Sequence, residues 1–117
     1  MCPNFKILNS TPNGVIYWFE SCEMARVIFN NLCFDFYPEE YNAFLNYISG
    51  LDGDQIEKQY ENSVHKRKIP IPMGNSCMTI ILNKEELLEL KFLFNNKEEY
   101  YVLKNPKEEI NYQMNLN

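Results

Sequence analysis

The stretch ARVIFNNLCFDF, residues 25–36, contains two short apolar runs separated by a pair of asparagines. Asparagine tolerates the positive φ that a tight two-residue turn requires, so Asn30 and Asn31 predict a turn between two strands. The second run alternates large apolar side chains with smaller ones, which is the pattern of a sheet packed on one face only. The large side chains are those of Leu32, Phe34 and Phe36. We therefore expect a β-hairpin that carries Cys33 on its more exposed face.

A second hairpin is predicted immediately upstream. Residues 5–8 and 15–19 form two more apolar runs, and the segment between them ends in Asn13-Gly14. An Asn-Gly step is a strong turn signal between strands. The first third of the chain is therefore expected to be β structure.

Three consecutive aromatic residues, Tyr17, Trp18 and Phe19, end the first of these hairpins. Neighbouring side chains of a strand point to opposite faces, so at least one of the rings must point away from the buried face. Exposed aromatic surface on a small sheet is typical of a protein interface, and we expect an interaction surface here. The alternative is that the segment around Tyr100 and Tyr101 covers these rings.

Two helices are predicted downstream. The first begins at Pro38, because proline lacks an N–H and the first helical turn does not need it, and it ends near Gly50. Its apolar residues recur at helical spacing, at Tyr41, Phe44, Leu45 and Ile48. The second begins after Asn83, where Glu86 completes a capping-box pattern, and continues to about Phe94.

Two extended segments lie between these helices, and the chain shows a weak internal repeat. Residues 69–72 contain two prolines, which predicts an edge strand or an extended loop, and residues 77–82 predict a better strand. When residues 34–48 are aligned with residues 80–94, the apolar and acidic positions coincide. The alignment fits a duplicated ββα unit whose copies share one antiparallel sheet. It fits equally well two unrelated strands that each precede a capped helix.

These patterns predict one α+β domain with an antiparallel sheet and two main helices. A chain of 117 residues with 45% hydrophobic content can bury a single core and is too short for two. We expect the domain to span residues 1–104. Residues 105–117 are expected to be a mobile C-terminal tail, as chain ends usually are.

The composition argues against several classes of partner. The net charge of −5 disfavours binding to nucleic acid, which draws on a surplus of Lys and Arg. No apolar run reaches the roughly 20 residues of a membrane helix, and the N-terminus lacks the apolar run of a secretory leader. A cytoplasmic location follows as the default expectation, without a membrane partner.

The cysteines and the single histidine are weak candidates for chemistry. Cys2, Cys22, Cys33 and Cys77 are widely spaced in a chain without an export signal, which favours reduced thiols. Cys2, Cys22 and Cys33 could meet, with His65 as a fourth zinc ligand. The close cysteine pair of most zinc sites is missing, however, so no metal site is predicted.

His65 lies in a basic run that is typical of a solvated loop, and the chain has no nucleophile motif and no glycine-rich phosphate loop. We predict no catalytic residue and no cofactor.

Four segments resemble a family of small bacterial proteins that is classed as a domain of unknown function. They are FESCEM at residues 19–24, NNL at 30–32, FYPEEY at 36–41 and RKIPIP at 67–72, and the resemblance covers residues 2–95. The family often has a Cys-x-x-Cys pair at this place, whereas here Phe19 stands at the first position and Cys22 at the second. The resemblance therefore supports a cytoplasmic domain of this fold and implies no activity.

The sequence favours a non-enzymatic domain that interacts with a protein partner or forms a homodimer. One alternative is a metal- or thiol-dependent protein that uses Cys22 and Cys33. Another is a small-ligand-binding domain with an aromatic pocket between the sheet and the helices.

Overall fold

The computed structural model describes residues 4–74 and 77–95 and confirms the α+β class. The elements of these residues are β1 (Lys6–Thr11), β2 (Gly14–Phe19), β3 (Met24–Phe29), β4 (Leu32–Phe36), α1 (Pro38–Ser49), α2 (Gly53–Gln59), β5 (Ile69–Pro72), β6 (Thr79–Leu82) and α3 (Lys84–Phe94). A short 3-10 helix, Glu20–Cys22, joins β2 to β3. Both predicted hairpins and both main helices are present.

The first four strands form one antiparallel sheet in the order β1-β2-β3-β4. Asn30 has a φ of 55°, so the predicted tight turn joins β3 to β4. The turn of the first hairpin is shorter than the segment between the predicted strands, residues 5–8 and 15–19. Strand β1 continues to Thr11, and Gly14 is already paired with it as the first residue of β2.

The strands β5 and β6 form a separate two-stranded sheet, so the single shared sheet expected from the repeat is not formed. The N–H of Met73 donates to the carbonyl of Met78 at 3.0 Å, which continues the ladder beyond Pro72. Successive residues of a strand point their N–H and C=O groups alternately toward and away from a neighbouring strand. Because Met73 bonds toward β6, the backbone groups of Pro70 and Pro72 face away from β6. Proline has no N–H to offer there, and the outer edge of β5 is a poor template for another strand.

One face of the four-stranded sheet is covered by helices and forms the core. The fully buried residues of this core are Ile16, Val27 and Phe29 from the sheet, Ile48 from α1, Ile69 and Ile71 from β5, and Leu87, Leu90 and Leu93 from α3. Each contributes about 1.5–3 kcal/mol by removing its side chain from water. We call the side of the sheet that faces these helices the inner face.

Polar contacts fix α3 against the first hairpin. The Glu89 carboxylate accepts hydrogen bonds from the hydroxyl of Thr11 at 2.6 Å and from the backbone N–H of Asn13 at 2.8 Å. Asn9 donates through Nδ2 to the carbonyl of Leu93, one of the last carbonyls of α3, which lack a partner within the helix. These contacts hold the C-terminal half of α3 against the first hairpin.

The predicted domain end at residue 104 and the predicted mobile tail, residues 105–117, lie outside the described residues. Within the described ranges, none of the helices has the length and apolar character needed to cross a bilayer.

Candidate functional site

The face of the four-stranded sheet that points away from the helices is apolar. Cross-strand partners share a face, and the register pairs Tyr17 with Arg26 and Arg26 with Asp35. We define the outer face by Phe5, Ile7, Ser10, Val15, Tyr17, Phe19, Met24, Arg26, Ile28, Cys33 and Asp35. The core cluster and the residues packed against it include none of these. Nine of the eleven are uncharged, and they form a surface separate from the core.

The structure separates the three consecutive aromatics predicted to form an interaction surface. Tyr17 and Phe19 lie on the outer face, whereas Trp18 packs against the core and donates through Nε1 to Glu20 at 3.0 Å. Phe5 contacts Tyr17 edge to face, with ring centroids 5.1 Å apart, and lies 5.8 Å from the ring of Phe19. Phe5 is 56% exposed and Phe19 only 7%, so Phe5 covers Phe19 and is itself open to solvent.

The charged residues of the outer face neutralise each other. Arg26 donates to Asp35 through two nitrogens, at 2.7 and 3.0 Å. The hydrogen bond from Arg26 lowers the pKa of the Asp35 carboxyl, and the same contact raises the pKa of Arg26. The guanidinium also lies 5.7 Å from the centre of the Phe19 ring, within cation–π range. The outer face therefore carries no net charge, in contrast to the acidic chain as a whole.

Among the described strands, β4 pairs with β3 along one edge only. The N–H of Asn30 donates to the carbonyl of Asn13 at 2.8 Å, which shows that even-numbered residues of β3 bond to β2 and odd-numbered residues to β4. In β4, the backbones bonded to β3 are consequently those of Leu32, Phe34 and Phe36. The N–H and C=O groups of Cys33 and Asp35 face away from β3, and no described strand pairs with them.

A groove of about 690 Å³ runs along this edge. Phe34, Asp35 and Phe36 all line it, although the side chain of Asp35 lies on the opposite sheet face from the other two. Three consecutive strand residues can line one groove only where it follows the edge of the strand. The remaining lining residues come from α1 (Glu40, Ala43, Phe44 and Tyr47) and from the region of the β5–β6 turn (Pro72, Met73, Gly74 and Met78).

The structure does not bring the weak metal candidates together. Cys22 lies just before the start of β3, and Cys33 lies opposite Ile28 near the other end of that strand. Met24 and Ile28 are about 13 Å apart along β3 at roughly 3.3 Å per residue, which separates the two cysteines. His65 is exposed in the loop between α2 and β5. Within the described residues, no group of three or more potential ligands is placed to hold a metal ion.

The prediction of reduced thiols is wrong for Cys22, which is disulfide-bonded. It holds for Cys33 and Cys77, which are free and exposed. Sequence spacing did not reveal the bond because tertiary geometry, not separation along the chain, determines which thiols meet. Cys2, the fourth candidate, lies outside the described residues.

Two parts of the candidate sites were missed by sequence reasoning. Phe5 was assigned only to a strand, although strand alternation with Ile7 could have placed it on the same face. An aromatic pocket between the sheet and the helices was one of the alternatives, but the residues that line the groove could not have been named, because Phe36, Phe44 and Met73 come from three separate segments whose packing no local pattern describes.

A protein-family model described as a family of unknown function, DUF6686, matches residues 1–117. This confirms the resemblance to a domain of unknown function. No curated protein and no solved structure matches the chain.

Proposed function

Because the chain belongs to the DUF6686 family, whose description assigns no activity, we propose from the geometry that it is a non-enzymatic interaction domain. It forms a homodimer in which the outer faces of two copies pack against each other. The observation that carries this proposal is the apolar outer face, which stands apart from the core.

The size of this face supports an interface. Strands lie about 4.8 Å apart and rise about 3.3 Å per residue, so four strands of about six residues cover roughly 400 Å². The largest apolar patch of a typical monomeric protein is of this size, and such patches are often functional. Phe5 and Ile7 are 56% and 50% exposed on its rim, and the half-buried Val15, Tyr17 and Ile28 lie further in.

Charge favours a second copy as the occupant. The net charge of −5 opposes contact between the acidic surfaces of two identical chains. The outer face avoids this repulsion because Arg26 and Asp35 balance each other within the same chain. A two-fold axis across the face would then bring apolar side chains together without unpaired charge.

The same dimensions limit the affinity. A contact of roughly 400 Å² per copy falls well below the 800 Å² per partner of a standard interface. We therefore expect a weak, reversible dimer.

Sedimentation velocity across the micromolar range tests the homodimer. The decisive variant is Tyr17→Glu, which places a charge at the centre of the outer face, and its matched control is Tyr60→Glu, at an exposed tyrosine after α2. The wild type and Tyr60→Glu should associate with concentration, and Tyr17→Glu should remain monomeric.

If Tyr17→Glu loses its circular dichroism spectrum, Ile7→Glu replaces it, because that side chain is 50% exposed. A wild type that stays monomeric at every concentration would overturn the proposal. So would a folded Tyr17→Glu or Ile7→Glu variant that dimerises as the wild type does.

The alternative functions have less geometric support. A thiol- or metal-dependent protein would need Cys22 as a thiolate, and its disulfide prevents this while the bond is intact. A small-ligand site could use the groove, whose volume falls within the range of such sites. However, its two acidic side chains are already engaged, Asp35 with Arg26 and Glu40 with the N–H of Tyr37.

A further inference from the structure

We propose that the groove along β4 binds an extended peptide segment, which adds to the sheet as a fifth strand. This site goes beyond the proposed homodimer, because it uses the edge of the sheet and the dimer uses the outer face. The segment we infer carries apolar residues at alternate positions and basic residues between them.

The edge of β4 lacks the features that protect the other edges. On the opposite side of the sheet, β1 has an irregularity between Ile7 and Asn9 that interrupts its ladder. Pro70 and Pro72 protect the edge of β5, and β6 is four residues long. β4 pairs with β3 without interruption and contains neither proline nor lysine. Edges of this kind readily accept another strand.

Polar backbone groups are available at the same place. The N–H and C=O groups of Cys33 and Asp35 point out of the sheet, and an antiparallel or parallel neighbour could pair with all of them. In strand addition, such main-chain hydrogen bonds supply affinity and are independent of the sequence of the peptide.

The shape of the groove favours a single extended chain over the edge of a folded domain. Phe44 and Tyr47 of α1 line it on the side of the inner face, and Met73 and Met78, next to the β5–β6 turn, line it as well. A groove lined by both segments suits a lone strand better than the edge of a folded domain. Methionine side chains adapt to different neighbours, so this lining can accommodate peptides of varied sequence.

The lining also indicates the chemistry of the peptide. Alternate side chains of a bound strand would point toward the inner face, against Phe34, Phe44 and Tyr47, and these positions favour apolar residues. Of the two acidic residues that line the groove, Asp35 is neutralised by Arg26, whereas Glu40 accepts only from a backbone N–H and keeps its charge; the chain as a whole carries a net charge of −5. The other alternate positions of the peptide therefore favour lysine or arginine.

Fluorescence anisotropy with the full chain tests this site directly. The probe is a labelled octapeptide of alternating valine and lysine, and the matched control has the same sequence with alternate backbone nitrogens methylated. Methylation removes the N–H groups of the peptide that would donate hydrogen bonds to the carbonyls of Cys33 and Asp35. The unmodified peptide should bind saturably, and the methylated one should bind at least about tenfold more weakly.

Two substitutions at one position separate the backbone from the side chain. Asp35→Pro removes the N–H that points outward at the edge. Proline is tolerated at such a position of an edge strand, because the missing N–H is not part of the sheet. Asp35→Ala keeps that N–H and loses only the carboxylate. Asp35→Pro should weaken binding about tenfold relative to Asp35→Ala, with both variants showing cooperative thermal unfolding. If Asp35→Pro does not fold, the methylated peptide provides the same comparison with the wild type.

Three results would overturn the site: no saturable binding of the unmodified peptide, equal binding of the methylated peptide, or equal binding by folded Asp35→Pro and Asp35→Ala. Tyr17→Glu distinguishes this failure from failure of the homodimer, since that substitution lies on the outer face and not in the groove. Peptide binding and sedimentation are therefore measured on the same Tyr17→Glu sample.

Discussion

Replacing Glu89 by alanine should loosen the contact between α3 and the first hairpin. Its carboxylate accepts hydrogen bonds from the Thr11 hydroxyl at 2.6 Å, from the Asn13 backbone N–H at 2.8 Å and from the Asn13 side chain at 3.0 Å. Thr11 is only 8% exposed, so losing its partner should cost about 1–3 kcal/mol. The contacts with Asn13 are exposed, and water can replace most of what they contribute.

We expect Glu89→Ala to lower the free energy of unfolding by about 2 kcal/mol, measured by urea denaturation followed through Trp18 fluorescence. Glu89→Gln retains one acceptor oxygen and should lose about half as much. Glu61→Ala, at an exposed position after α2, is the control and should change stability by less than about 0.5 kcal/mol. If Glu89→Ala matched this control, the carboxylate would not hold α3 against the hairpin.

Two further predictions concern charge and packing. The Arg26 contact lowers the pKa of Asp35 from its ordinary value of 3.8, so its contribution to stability is present above that value and lost as pH falls through the lowered folded pKa. At neutral pH, the free energy of unfolding of the wild type should exceed that of Asp35→Asn by at most about 1 kcal/mol. The two values should converge in strong acid, and a difference that does not change with pH would contradict this. A Cβ at Gly14 would lie 2.7 Å from the buried side chain of Leu93. Gly14→Ala should therefore cost about 1–3 kcal/mol in urea denaturation, whereas Gly50→Ala, with its nearest neighbour at 3.8 Å, should cost less; equal effects would refute the close packing.

Local patterns predicted most of the elements because local chemistry determines them. Strand β4 follows the alternation of residues 32–36, and its Cys33 is exposed as expected. Helix α3 begins after Asn83 because that side chain accepts a hydrogen bond from the N–H of Glu86 at 2.7 Å. Each of these features depends on residues only a few positions apart.

Long-range arrangement could not be predicted in the same way. The repeat suggested one shared sheet, but the prolines of β5 removed the N–H donors that would be needed at its outer edge. The disulfide of Cys22 depends on which thiols meet in space. For the candidate sites, strand alternation could place Tyr17 and Phe19 on the face opposite Trp18, but it could not show which face the helices cover.

Native mass spectrometry of the full chain, recorded without and with a chelator, tests whether the protein is a metal-free homodimer. It reports the number of subunits and any bound metal from one sample. We predict a metal-free dimer whose fraction rises with concentration and is unaffected by the chelator. A monomer that carries a zinc ion removable by the chelator would contradict it and would make the cysteines the functional site.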